Sequence, residues 1–526
     1  MRVGFVYSEM ETLGIEHLSS FLKKQGHQTR LFFDPQLFMD TISSRPVLNK
    51  ILGYRDHLLK QIDEFKPDIL AFSVLSTNNH WAKLFAKEIK IHTDIPIVFG
   101  GIHPTLAPEE VIKLGFVDHV IVGEGEEALC ELVENLNNLK NLSEIKNVWT
   151  KINGKIVRNP VRPLIEDLDS LPFPDKEMFY QVMPYLSKHY TIVTGRGCPY
   201  SCTFCSNHAL RNISNSDKHF LRRRSPENVI AELNQAKSKY QVKDIFFDDS
   251  TFTYDKKWLK RFSDLYRGHI NLNCFCWVHP SEIDEETVGY LKNMNCRAVE
   301  MGVESTNPQI REKWLHRYYS NEQVARALRL FKKHKIFCVV DNIIGLPEEK
   351  ISDLEDMVSF YNEIRPEKVY VFELRPFPNT QMYEMSKEYA AIHNNDRDDL
   401  RPFTLSVYRN KVFKQIIMLT LMIEFLPKKA ISFLLRKKLY RFLPAFDVYN
   451  FLEIVPFFLN FLKREKRWFP IRGTRHRYIF FGLKILKNYF SGNSPGEDCK
   501  NSIPLKENSV DIVLPEKTKE EVLINN

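Results

Sequence analysis

Cysteine is scarce for the chain's length and unevenly placed. There are nine residues in 526, an odd number, and only Cys198, Cys202 and Cys205 are tightly clustered. This excludes a secreted disulfide framework and favours a reducing compartment and a metal site. No run of eighteen or more uncharged apolar residues occurs, so no transmembrane helix is expected. The opening MRVGFVYSEM lacks the charge, apolar run and cleavage site of a signal peptide and reads directly into a strand. A cytoplasmic protein is the expectation. With 43% hydrophobic and 27% charged residues, the chain should fold as two or three ordinary globular domains. Acidic residues are scarce in one region. Residues 401–490 hold 19 Lys and Arg against 4 Asp and Glu, about +15, which leaves about −7 for the rest of a chain whose total is +8.

Short apolar runs do occur, in a regular order. RVGFVYS, TRLFFD, DILAFSV, IPIVFGG and HVIVGEG alternate with helical stretches such as LGIEHLSSFLKKQG, as in a doubly wound parallel sheet over residues 1–140. Residues 141–187, with four prolines in NPVRPLIEDLDSLPFPDKEMF, read as an ordered but irregular linker. Alternation resumes over 188–400 with YTIVTGRG, DIFFDDS, LNCFCWV, AVEMGVES, FCVVDNIIGLP and VYVFELRPFP. Six such units predict a partial (β/α)6 barrel with its chemistry at the C-terminal ends of the strands. Residues 401–490 predict a basic helical module, and 491–526 a disordered tail.

The cysteines lie in GRGCPYSCTFCSNH, just after the first barrel strand. Two metal sites fit three thiolates at this spacing. One is a zinc ion with His208 as fourth ligand; the other is an iron–sulfur cluster with one iron left open to a substrate or cofactor. Cys274 and Cys276 alternate along one strand and read as barrel residues rather than a second cluster.

C-x3-C-x2-C at the end of the first strand of such a barrel resembles the radical S-adenosylmethionine (SAM) superfamily. The resemblance implies that Cys198, Cys202 and Cys205 hold a [4Fe–4S] cluster whose open iron chelates SAM. It places Phe204 beside the adenine and Asp248 and Asp249, in FFDDSTFTYD, near the methionyl group or substrate. Glu304 and Ser305, in VEMGVES, would contact the ribose or carboxylate. IIGLPEEK, with Gly345, resembles a fifth-strand segment that usually reads GLPGET, and Glu348 stands where that segment has glycine. RPFPNTQMYE resembles a P-G-T-x-L-Y segment, with Asn379 in place of glycine.

In the same superfamily an N-terminal doubly wound domain usually binds cobalamin. The strand ends that would face it carry Ser73 and Leu75, then Gly100 and Gly101, then Gly123, Glu124 and Gly125. Glycines there let the backbone approach a flat corrin or its nucleotide tail. Other cobalamin domains carry D-x-H-x-x-G, with histidine on cobalt. This chain has EMETLG, with Glu11 at the histidine position, so no histidine is expected as lower ligand. His103 and Pro104 are expected to be loop structure.

The resemblance implies a cobalamin-dependent radical SAM enzyme, with methylation of an unactivated carbon as the commonest reaction. Radical cyclisation or rearrangement is the alternative, and a corrinoid or cluster sensor without turnover is the alternative of another class. The expected partners are a small, hydrophobic or lipid-like substrate and an electron donor such as flavodoxin or ferredoxin. The basic module at 401–490 combines Lys and Arg with bulky apolar residues. It suits a helical lid, or an anionic membrane surface at the inner face, better than nucleic acid.

Overall fold

The computed structural model describes residues 1–36, 54–214, 219–392 and 411–444. Its first sheet has seven strands in the order β2-β1-β3-β4-β5-β6-β7. They are β1 (Arg2–Tyr7), β2 (Gln28–Phe33), β3 (Ile69–Ser73), β4 (Ile97–Gly100), β5 (His119–Ile121), β6 (Val148–Ile152) and β7 (Lys155–Arg158). Strands β1 to β5 are parallel. Strand β1 shows why the runs are continuous: Val3, Phe5 and Tyr7 enter one core and Val6 the opposite one. Phe32, Phe72, Phe85 and Phe99 fill that second core at 0–2% exposure, each contributing about 1.5–3 kcal/mol relative to an exposed side chain. The order reverses between β1 and β3, which opens a crevice at the strand ends.

The stretch expected as an irregular linker begins with regular structure instead. Strands β6 and β7 form an antiparallel hairpin on the sheet edge. Asn153 and Gly154 turn it with φ of 50° and 74°, the mirror-image turn that Asn-Gly favours. Residues 159–188 beyond it have short helical turns and no strand.

The second sheet has six parallel strands in the order β15-β14-β13-β12-β11-β8. They are β8 (His189–Ile192), β11 (Asp244–Phe247), β12 (Asn273–Val278), β13 (Cys296–Glu304), β14 (Phe337–Ile344) and β15 (Lys368–Glu373). This is the expected open barrel, with helices on its outer face. Ser225 caps the helix Pro226–Lys239 by accepting from Asn228 N at 3.1 Å. Inside, Phe246, Phe275 and Ala298 pack with Trp277 and Phe337 as an apolar floor. Cys274, Cys276, Cys296 and Cys338 face the outer core and are buried there.

Of the basic region, residues 411–444 fall within the described part, and much of their apolar surface turns inward, although Phe433 and Phe442 stay exposed. Ile416, Leu419, Ile431 and Tyr440 join the main core. Arg365 donates to Leu426 O at 2.7 Å, and Asn362 to Ser432 Oγ at 2.9 Å. The rest of 401–490, and the tail 491–526, lie outside the described residues. No helix among the described residues is long and apolar enough to cross a membrane.

A buried ion cluster joins the two sheets. Lys176, 2% exposed, places its ammonium 2.9 Å from Glu11 and 2.7 Å from Glu16. Glu11 also accepts from Thr191 of β8 at 3.0 Å. Burial disfavours the Lys176 charge, but the two carboxylates outweigh it and hold the ammonium above its usual range. Burial pushes Glu16 well above the usual carboxylate range, and Lys176 pulls it back. Lys176→Met strands two buried carboxylates and should cost about 3–5 kcal/mol at pH 8. A buried acid with a raised pKa favours the folded state below its unfolded pKa and loses that contribution as pH rises through the folded value. The loss should therefore shrink as pH falls and Glu16 takes up a proton. Denaturant titrations at pH 5.5 and 8 check this; an equal loss at both would show that the carboxylates were not left uncompensated.

Candidate functional site

The cysteine loop hangs from a small ribbon. Just after β8, β9 (Gly195–Arg196) pairs antiparallel with β10 (Arg222–Arg223). Gly197 follows with φ 88°, and a Cβ there would lie 2.3 Å from Phe220 O, so only glycine fits. Cys198, Cys202 and Cys205 come next, and the loop is held on several sides. Tyr200 stacks on His279 with ring centres 3.7 Å apart and donates to Glu282 at 2.8 Å. Thr203 O accepts from Met382 N at 2.9 Å. Arg211 donates to Cys198 O, and Phe204 packs beside Trp314, Leu346 and Met382.

Burial pushes all three thiols up, Cys198 to about 12. A positive partner is therefore needed to hold them as thiolates. One stands beside them: Arg317 Nη1 is 3.6 Å from Cys202 Sγ.

The ends of the later strands face this loop. Glu304 closes β13 with φ 63° after an irregularity in register between Gly302 and Glu304. Its buried carboxylate is raised by desolvation and lowered by Arg317, 3.6 Å away. Ser305 is buried beside it, its Oγ accepting from Asn307 N at 3.2 Å. Gly345 ends β14 with φ 78° and donates its amide to Glu349 at 2.6 Å. Asp248 is exposed at the barrel mouth and accepts from Trp277 Nε1 at 3.3 Å. Asp249 is turned into the scaffold, both oxygens accepting from Thr194 N at 3.0 and 3.2 Å. The two substituted glycines keep a glycine-like backbone: Glu348 has φ 64° and Asn379 φ 56°.

Across the ribbon lies a cavity of about 280 Å³ at the strand ends of the first sheet. Gly14, Gly100, Gly101, Gly123 and Gly125 line it, together with Ser73 and Glu124. A Cβ on Gly101 would press to 3.0 Å from the Val74 backbone, so the wall there is bare main chain. A flat or narrow group fits such a cradle. Leu75 is not part of the lining; its amide donates to Asn78 at 2.8 Å. Glu124 lines the cavity, but its oxygens are held by Arg196 at 2.7 Å, Arg222 at 3.0 Å and Ile165 N at 2.9 Å. Glu11 is fixed by Lys176 and Thr191. His103 is buried, with Nδ1 3.0 Å from Ser76 Oγ.

Several residues of the site carry no local sequence signal. Arg196 lines the cavity and binds Glu124 and Glu126 two residues before Cys198. His17, on the helix Leu13–Lys24, also lines the cavity, and burial holds it well below its usual range and neutral. Deeper in the barrel, Glu300 and Asp341 on neighbouring strands share a hydrogen bond. Burial pushes both carboxyls up, Glu300 to about 7 and Asp341 to about 10. Asp341 Oδ1 is buried with no hydrogen-bond partner. Alternation along β13 would have placed Glu300 on the same face as Glu304, which is the one signal available.

Family models for the B12 binding domain and the Radical SAM superfamily match residues 2–133 and 192–361. The chain is 29% identical over 350 residues to an uncharacterised methyltransferase of Pyrococcus horikoshii, covering 64% of this chain and 72% of that one. It is 24% identical over 411 residues to the anaerobic magnesium-protoporphyrin IX monomethyl ester cyclase of Rubrivivax gelatinosus, covering 73% and 70%. Among solved structures, its fold resembles the radical SAM methyltransferase TsrM of Kitasatospora setae with cobalamin and a [4Fe–4S] cluster bound. The TM-score is 0.59 at 19% identity, covering 74% of this chain and 75% of that one.

The left-handed conformation at Glu348 is testable. It costs about 1–3 kcal/mol on a residue other than glycine, while the exposed pair that Glu348 makes with Lys313 at 2.6 Å returns about 0–1 kcal/mol. Glu348→Gly should therefore be neutral or raise stability by up to about 2 kcal/mol. Glu348→Val should lose about 1 kcal/mol or more, since β-branched residues fit that conformation worst. Thermal unfolding of the two variants beside the parent checks the order.

Proposed function

A chain that joins a B12-binding domain to a radical SAM domain is an enzyme of the cobalamin-dependent radical SAM class, and we propose that it methylates an unactivated carbon of a hydrophobic small molecule. The observation that carries this reading is a shared wall. Val193 and Arg196 line the glycine-walled cavity and run directly into Gly197 and Cys198. Two cofactor sites separated by one ribbon suit a reaction that uses both on one substrate.

The three thiolates are assigned to a [4Fe–4S] cluster, whose soft, electron-rich donors match iron–sulfur chemistry. Arg317 offsets their charge at Cys202. Phe204, Glu304, Ser305 and Gly345 are assigned to SAM, with Asp248 at the mouth. Glu304 is buried and beside Arg317, so it presents a fixed acceptor rather than a mobile one. The cavity with Ser73, Gly100, Gly101, Gly123 and Gly125 is assigned to cobalamin. When bound, these groups supply a hydrogen-abstracting radical and a transferable methyl group. The aromatic floor of Phe246, Phe275 and Phe337 would give an apolar substrate a surface to rest on. A small electron-transfer protein of the flavodoxin or ferredoxin kind is the proposed reductant.

The second reading, radical cyclisation, is favoured by the likeness to the porphyrin ester cyclase. Deuteromethyl SAM separates the two. A methyltransferase places the labelled methyl group in the product, and a cyclase leaves the product unlabelled.

Replacing Cys198, Cys202 or Cys205 by Ala should abolish SAM cleavage to 5′-deoxyadenosine and remove most of the bound iron. Stoichiometric zinc without labile sulfide in anaerobically reconstituted protein would refute the assignment. Bound cob(II)alamin should show no nitrogen superhyperfine splitting from a lower ligand, because Glu11, a carboxylate paired with Lys176, stands where other cobalamin domains have histidine. A splitting lost in His17→Phe would move that role to His17.

A further inference from the structure

The first domain carries a second cluster of metal-ligand side chains, at the other end of its sheet. The helix Leu13–Lys24 ends in a turn, and His27 stands just before β2, at the N-terminal edge of the strands. The helix Glu126–Glu134 starts at the cavity and runs back to the same edge, carrying Cys130 and Glu134 at i and i+4 on one face. The three meet there. Cys130 Sγ is 3.8 Å from His27 Nε2 and 3.7 Å from Glu134 Oε1, and His27 Nε2 is 3.7 Å from Glu134 Oε1.

These separations form a nearly equilateral triangle of one sulfur, one nitrogen and one oxygen. A tetrahedral zinc ion with bonds of about 2.0–2.3 Å holds such ligands about 3.3–3.6 Å apart. The three atoms would each close by only a few tenths of an ångström. Cys130 is 7% exposed and the His27 ring 9%, whereas the Glu134 side chain is 53% exposed. Two ligands are thus fixed by packing, and the third faces the solvent from which an ion would enter. The other ring nitrogen of His27 is 3.5 Å from the Met1 amine, too far to fix the ring's tautomer against a metal.

We propose that His27, Cys130 and Glu134 bind one divalent zinc-like ion, with a water molecule in the fourth position. Without a cation the thiol is poorly ionised, since burial and Glu134 push it up to about 11. An ion would supply the compensating charge that the two acidic partners demand. The site is not part of the reaction centre. It pins together the far ends of the two helices whose near ends, through Leu13, Gly14, His17, Glu126 and Leu129, wall the glycine cavity. The ion would therefore set the spacing of that cavity's walls from the opposite edge of the domain.

The test loads the anaerobically reconstituted full chain with zinc chloride, removes free ion and counts metals. Wild type should keep one zinc in addition to its iron. X-ray absorption at the zinc edge should show one sulfur at about 2.3 Å and nitrogen or oxygen at about 2.0–2.1 Å. Glu134→Gln and Cys130→Ser should weaken zinc binding by more than about 10- to 100-fold, the loss that follows removal of a mere outer partner, with iron unchanged. Glu134 is half exposed, so that variant does not endanger folding. The zinc must also survive in a chain with Cys198→Ala, Cys202→Ala and Cys205→Ala, which separates this site from the assignment of those thiols. No retained zinc in wild type, equal retention in the two variants, or loss in the triple variant would overturn the proposal and leave a thiol–imidazole–carboxylate hydrogen-bond cluster.

Discussion

Arg196 is the residue on which the arrangement of both sites depends. Its guanidinium lies between Glu124 at 2.7 Å and Glu126, in the turn and helix start that follow β5, while its backbone forms the ribbon that carries the cysteine loop. Burying an arginine is costly, and it persists only where carboxylates meet its fork. Here the two glutamates outweigh the desolvation and hold its proton more firmly than usual. Arg222, from the other strand of the ribbon, grips the same Glu124 at 3.0 Å. Two cations on one carboxylate fix both strands of the ribbon to the mouth of the cavity. One electrostatic knot thus ties the ribbon that carries the thiols to the glycine-walled chamber.

How much of this was legible in the sequence depended on how local each signal was. Strand runs such as RVGFVY and ILAFS bury both faces, so their pattern alone announces a parallel sheet. Cys198, Cys202 and Cys205 are close in sequence because one loop must present all three. Asn153-Gly154 was equally local and marks a hairpin; the prolines that follow it masked the signal. Arg317, Glu300 and Asp341 could not be read this way, because their meaning comes from neighbours on other strands. Glu124 was legible as a cavity residue but not as the partner of Arg196 and Arg222, which lie about seventy and a hundred positions away. Glu348 and Asn379 show the converse. A sequence pattern that asks for glycine was broken, yet the backbone kept glycine's conformation.

The barrel interior is built in layers of opposite character. Aromatic rings close its floor, the buried carboxyl pair Glu300 and Asp341 stands above them, and Glu304 with Arg317 occupies the rim beside the thiols. Charge of both signs thus rises toward the mouth and falls toward the floor. A ligand entering from the rim passes from a region that fixes polar groups to one that accepts only apolar surface.

Lys176 has a bearing on modularity. It lies in neither of the segments matched by the two family models, yet it neutralises Glu11 and Glu16 of the first domain, and Glu11 in turn reaches Thr191 of the second. A fragment cut after residue 133 would keep the acids and lose their cation. It would also bare the helix face against which Asp175 and Lys176 dock, including Ser19, which donates to Asp175 at 2.6 Å. The connecting segment is thus a structural part of the domain it follows. In this chain the unit that folds is therefore longer than the segment the B12-binding family model matches.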